Sequence, residues 1–97
     1  MIPGLSKLKV KNFIAPPELI KKIKRSLERV TDLSPSDSFV NAVLEQNSGG
    51  YSCEISVNSS QNRWSVLRAA NFPADAVMAA VGSVLNDLTS WKKDRFK

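Results

Sequence analysis

Apolar and polar residues alternate in LKVKNF, with Leu8 and Val10 on one face and Lys7, Lys9 and Lys11 on the other. A period of two with one apolar face predicts a strand covered on one side only. The period then lengthens. In LIKKIKRSLERV, residues 19–30, Leu19, Ile20, Ile23, Leu27 and Val30 return to one side of a helix turning about 100° per residue. APPEL opens that helix, because a proline in the first turn lacks an N–H that would bond nothing there. TDLSPSD ends it with breakers and turn formers.

Three short segments rich in β-branched and aromatic residues follow: SFVNAVLEQ, YSCEISV and RWSVLRAA. NSGG separates the first two and NSSQN the last two, both of hairpin length and composition, which predicts a three-stranded antiparallel meander. In its middle strand Tyr51, Cys53, Ile55 and Val57 share a face opposite Ser52, Glu54, Ser56 and Asn58. One side of the sheet is therefore expected to be wet.

The last segment, NFPADAVMAAVGSVLNDLTSWKKDRFK, returns to helical period. Val77, Val81, Val84, Leu88 and Trp91 form a stripe broadened by Ala80 and Leu85, with Pro73 and Asp75 suited to the first turn. Gly82 costs such a helix about 1 kcal/mol relative to alanine, which predicts a close contact with the sheet or the other helix. The order β-α-β-β-β-α gives an α+β two-layer sandwich, a four-stranded sheet with two helices on one face, as a single domain over residues 1–97.

Composition narrows the function. At 97 residues, 42% hydrophobic and 24% charged, the chain has the make-up of one folding domain. No apolar run approaches the roughly 18 residues of a membrane span, and MIPGLSKLKV lacks the features of a signal peptide, so a cytoplasmic protein without membrane contact is expected. There is no histidine and one cysteine, Cys53, placed in an alternating segment where a small buried hydrophobe fits. Neither a tetrahedral zinc site nor a Cys-His pair can be built, SGG reads as a turn, and the carboxylates are scattered. No enzyme activity, cofactor, metal or small-molecule substrate is expected; what remains is binding.

Charge suggests what is bound. The net charge is +5 and the pI about 9.7, a field that attracts nucleic acid or an anionic surface. On the first helix Lys21, Lys22, Arg25 and Arg29 fall within about a 100° arc opposite the apolar stripe, with Lys24 on its flank. Glu18 complements the helix N-terminus, and Glu28 is placed to neutralise Lys24 or Arg25. The arc reads either as a solvated face or as a surface aimed at a polyanion. At the chain's other end WKKDRFK gathers Lys92, Lys93, Arg95 and Lys97 around Asp94, favourable beside a helix C-terminus. Trp64, Trp91, Tyr51 and Phe39 are expected in the core. Arg63 and Arg68 read as ligands or as protection for the sheet's open face or edge.

From about Leu8 to Phe96 the chain resembles a short ribosome hibernation-promoting factor, of the family that includes ribosome-associated inhibitor A and was long labelled sigma-54 modulation protein. ELIKKIKRSLERV is similar to that family's first helix, YSCEISV to its central strand, and MAAVGSVLNDLTSWKKDRF to its second helix. Where the family usually carries Glu-Gly-x-Asp-Met-Tyr before the second helix, this chain has Pro73-Ala74-Asp75-Ala76-Val77-Met78. Gly82 stands in place of an aspartate, and Ala15-Pro16-Pro17-Glu18 replaces the usual Thr-Asp cap.

The resemblance implies a non-catalytic layer similar to a double-stranded-RNA-binding fold, docking on structured RNA of the small ribosomal subunit and restraining translation under stress. By position it implies RNA contacts from Lys21, Lys22, Arg25, Arg29 and Lys92, with Lys93 and Arg95 joining by proximity. Longer members add a C-terminal domain that pairs ribosomes; nothing follows Lys97, so that means of pairing is not expected. A protein-interaction module acting through the open sheet face or an edge strand is the alternative, favoured by the uncharged Ser52, Ser56 and Asn58.

Overall fold

A computed structural model describes residues 5–35 and 37–95, with Leu5, Asp94 and Arg95 described by their backbone alone. Its elements are β1 (Leu5–Lys11), α1 (Pro17–Leu33), β2 (Phe39–Asn47), β3 (Gly50–Asn58), β4 (Arg63–Ala70) and α2 (Pro73–Arg95). The expected order is the observed one. The strands lie in the order β1-β2-β3-β4, with β1 parallel to β2 and the other pairs antiparallel. Both helices pack on one face of this mixed sheet, and α1 also packs against α2.

Alternation sets that face. Val40, Ala42 and Leu44 of β2, Cys53, Ile55 and Val57 of β3 and Val66 of β4 point inward, meeting Ile23, Leu27 and Val30 of α1 and Val77, Ala80, Val81, Val84 and Leu88 of α2. Each is nearly inaccessible to water, so each valine, leucine and isoleucine among them contributes on the order of 1.5–3 kcal/mol relative to an exposed position. Cys53 is among them, and burial, with a smaller push from the Glu54 carboxylate, raises its thiol to about 11 from an ordinary 9.0. The thiol is therefore protonated and inert at neutral pH.

A pH effect follows from that shift. Between the unfolded and folded values the unfolded chain has lost the proton while the folded one keeps it, so stability falls as pH rises through about 9 to 11. We expect Cys53→Ala to flatten this alkaline decline in urea denaturation curves. An equally steep decline in the variant would exclude Cys53 as its source. The folded protein should also react far more slowly with iodoacetamide at pH 8 than the protein in urea.

Three local expectations are corrected. The first strand ends at Lys11, because Asn12 turns the chain at φ 69, a conformation asparagine tolerates, while its Nδ2 donates to Glu45 Oε2 (3.2 Å) and the Gln46 carbonyl (3.4 Å). Phe13 instead packs edge-on against Tyr51, centroids 5.1 Å apart. α1 absorbs Thr31, Asp32 and Leu33 and stops at Ser34, whose N–H and Oγ both donate to the Val30 carbonyl. Phe39 lies outside the core, 41% exposed, since it sits one position from inward-facing Val40 and pairs with Asn58 on the open face.

The meander's turns are as short as expected. Asn47 pairs with Gly50 across Ser48 and Gly49, and Gly50 has φ 145, where a side chain is strained and a Cβ would stand 2.6 Å from the Ala70 carbonyl oxygen. Trp64 packs against the core and meets Trp91 edge to face at 5.4 Å, both half-buried. The open face carries Lys7, Lys9 and Lys11 on its β1 edge. Such lysines on an edge strand disfavour pairing with another sheet.

Candidate nucleic-acid interface

The two helices run in the same direction, because each follows one of two parallel strands, β1 and β4, on the same face of the sheet. Their seam has an apolar floor and a cationic wall. Leu19 and Ile23 from α1 and Ala74, Val77 and Met78 from α2 line a hollow of about 330 Å³, walled by Lys22, Arg25 and Arg29. A second hollow of about 230 Å³ adjoins it, sharing Ser26, Arg29 and Met78 and reaching Val81, Gly82 and Leu85. No carboxylate lines either hollow.

Register along α1 produces this wall. Lys22, Arg25 and Arg29 are spaced by three and four residues, one helical face, and rise about 4.5 and 6 Å along the axis between successive members. All three are exposed. Lys21 is also exposed but stands on the side of α1 away from the seam. The expected neutralisation by Glu28 does not occur. Among the described residues no carboxylate comes within 4.0 Å of a lysine or arginine nitrogen, so these cations remain available to an external anion.

The basic end of α2 lines neither hollow. Lys92 lies seven residues beyond Leu85 of the second hollow, about 10.5 Å along the helix, and is half-buried, while Lys93 is exposed. Arg95 ends α2, and its side chain, like Lys97, lies outside the described residues. Arg63 faces the open sheet side. Arg68 does not: it pairs with Cys53 on the helix-covered face and reaches over the β4 edge to donate to Ser83 Oγ at 2.8 Å and to the Leu67 carbonyl at 2.8 Å. It ties β4 to α2.

Gly82 is corrected as well. It is exposed, and a Cβ there would meet nothing within 4 Å, so neither the sheet nor α1 requires the glycine. Its effect is to leave the second hollow open. The sequence also gave no weight to Met78, 69% exposed on the margin of the α2 stripe. Its signal was a large apolar residue displaced from that stripe beside two small ones, Ala74 and Gly82.

Elsewhere the chemistry is poor. A hollow of about 480 Å³ lies between the loops holding Asp37 and residues 59–62, with Trp91 on its wall and no basic residue in its lining. Asp37 accepts from the Ser60 N–H at 3.0 Å, and bonding from Ser60 holds its carboxyl below the usual range, which suits a turn brace. Among the described residues no group of three or more Cys, Asp or Glu is placed to hold a metal ion. No helix among them is long and apolar enough to cross a membrane.

The four-stranded mixed sheet with both helices on one face makes this a two-layer α+β sandwich. Comparison with solved structures narrows this to a particular fold. The chain superposes on the N-terminal domain of Thermus thermophilus Protein Y with a TM-score of 0.72 at 16% identity, covering 91% of this chain and 94% of that one. It superposes on a ribosomal subunit interface protein from Coxiella burnetii with a TM-score of 0.78 at 11% identity, covering 92% and 98%. No family model matches the sequence, and no curated protein matches it by sequence. At these identities the likeness establishes the fold.

Proposed function

We propose that this protein is a non-catalytic RNA-binding domain of the hibernation-promoting type, which binds the small ribosomal subunit in the cytoplasm and restrains translation under stress. The observation that carries the reading is the set of exposed, carboxylate-free cations Lys21, Lys22, Arg25 and Arg29 on one helix. A fold shared with a ribosomal subunit interface protein supports it. Phosphates of structured RNA meet the α1 cations, and Lys92, Lys93 and Arg95 add contacts farther along the same helical layer. Little sequence readout is needed, since a rigid surface recognises folded RNA by shape and phosphate placement.

Co-sedimentation of the purified protein with small subunits tests this, repeated as salt is raised. Four phosphate contacts should weaken binding by roughly 50- to 150-fold between about 50 and 200 mM monovalent salt, because each releases bound counterion. A salt-independent association would point to a protein partner instead. One observation favours that second reading: Phe39 and Leu67 are 41% and 59% exposed on the open sheet face. Substituting both with serine should leave subunit binding unchanged if RNA phosphates are the ligand.

A further inference from the structure

The seam between α1 and α2 holds more than a charged surface needs. Phosphate neutralisation requires only the cations, yet these flank an apolar floor where Leu19 is half-buried and Met78 is 69% exposed. We propose that the hollow formed by Leu19, Val77 and Met78 beside Lys22, Arg25 and Arg29 is a seat for one unstacked base of an RNA strand whose phosphates lie on the cations. This rests on the RNA-binding reading and specifies which RNA is preferred: a strand with a bulged or looped nucleotide over a fully paired duplex.

Three features point to a base. The hollow, at about 330 Å³, lies at the small end of the range for small-molecule sites, the scale of a nucleotide. Its wall is uniformly positive and its floor apolar, complementary to a ligand that joins an anion to a flat, poorly hydrated ring. Arginine guanidinium planes stack on unpaired bases as aromatic rings do, and Arg25 and Arg29 supply two of them where the seam has no aromatic residue. The sequence clears the way for an incoming strand: Ala74 and Gly82 keep the α2 side low, and the glycine has no role in the packing. An amphipathic acidic helix shares the charge pattern, but it needs a continuous trough several turns long, whereas this seam consists of two small hollows with Met78 common to both.

The test compares a short RNA hairpin carrying one bulged adenosine with the same hairpin fully paired, by fluorescence anisotropy at low salt. The bulged RNA should bind at least about fivefold more tightly, the lower end of what one stacked base contributes. Met78→Ala should abolish that preference while leaving affinity for the paired hairpin unchanged. The sequence contains two methionines, so the Met78 methyl resonance is readily assigned, and a ring-current shift on adding the bulged RNA, absent with the paired one, would locate the base. Equal affinity for both hairpins, or equal weakening of both by Met78→Ala, overturns the base seat while leaving phosphate binding standing. Binding to neither overturns the RNA reading and the seat together. A Met78 shift produced by an acidic amphipathic peptide and by neither RNA reassigns the seam to a protein partner.

Discussion

Reversing two charges on α1, Lys22→Glu with Arg25→Glu, should reduce association with small subunits or structured RNA by at least about a hundredfold while the domain stays folded. Each reversal changes the local charge by two units, so the phosphate surface loses four. Like charges brought together in a complex cost several kcal/mol, and about 2.8 kcal/mol already corresponds to a hundredfold in affinity. Folding should be spared because both side chains are exposed and neither forms an ion pair among the described residues. Surface changes of this kind usually fall within about 0.5 kcal/mol, and glutamate is nearly as good a helix former as lysine or arginine. A doubly reversed protein with unaltered circular dichroism that still pellets with small subunits as strongly as the parent would reduce the α1 arc to a solvated face.

The second large effect is on stability. Ile23→Ala should destabilise the domain by about 2–5 kcal/mol, because Ile23 is 2% exposed where α1 meets the sheet and α2, and alanine leaves a cavity its neighbours only partly fill. Total stabilities of such domains are about 5–15 kcal/mol, so the midpoint should fall by roughly 10 °C or more in thermal denaturation. Ile14→Ala is the comparison. Ile14 is 95% exposed, and its loss should move the midpoint little. Equal midpoints for the two variants would contradict the assigned core.

The double reversal and the cavity act on opposite faces of one helix, which is why their effects should separate. Loss of binding without loss of stability belongs to Lys22 and Arg25; loss of stability, with binding recovered at lower temperature, belongs to Ile23. Arg68 lies between these cases. Its bond to Ser83 ties β4 to α2, so it behaves as a structural residue although its charge suggests a ligand.

Much of this was legible in residue pattern. A period of two in β3 placed Cys53, Ile55 and Val57 inward because successive strand side chains alternate by geometry. A period near 3.6 placed Ile23, Leu27 and Val30 inward and the basic arc outward for the same reason on a helix. Short turns between β2, β3 and β4 forced antiparallel neighbours, since so few residues can only reverse the chain. Phe39 was misplaced because a strand's end gives too few alternating positions to fix its phase, and only pairing with Asn58 settles which face it takes. Glu28 was expected to neutralise a cation from helical spacing alone, but spacing permits a contact without requiring one, and solvated charges gain little from pairing.

Local sequence thus determined the elements, their inward faces and the cationic arc, all of which depend on residues within a few positions of one another. Tertiary structure decided the rest. The parallel pairing of β1 with β2, the laying of α1 beside α2, and the hollow between Met78 and Lys22 all join residues dozens of positions apart. Nothing in the local period of either helix encodes its rotation against the other. That rotation is fixed only when two apolar stripes and one sheet face close a common core, and it is what turns a row of solvated lysines and arginines into the wall of a groove.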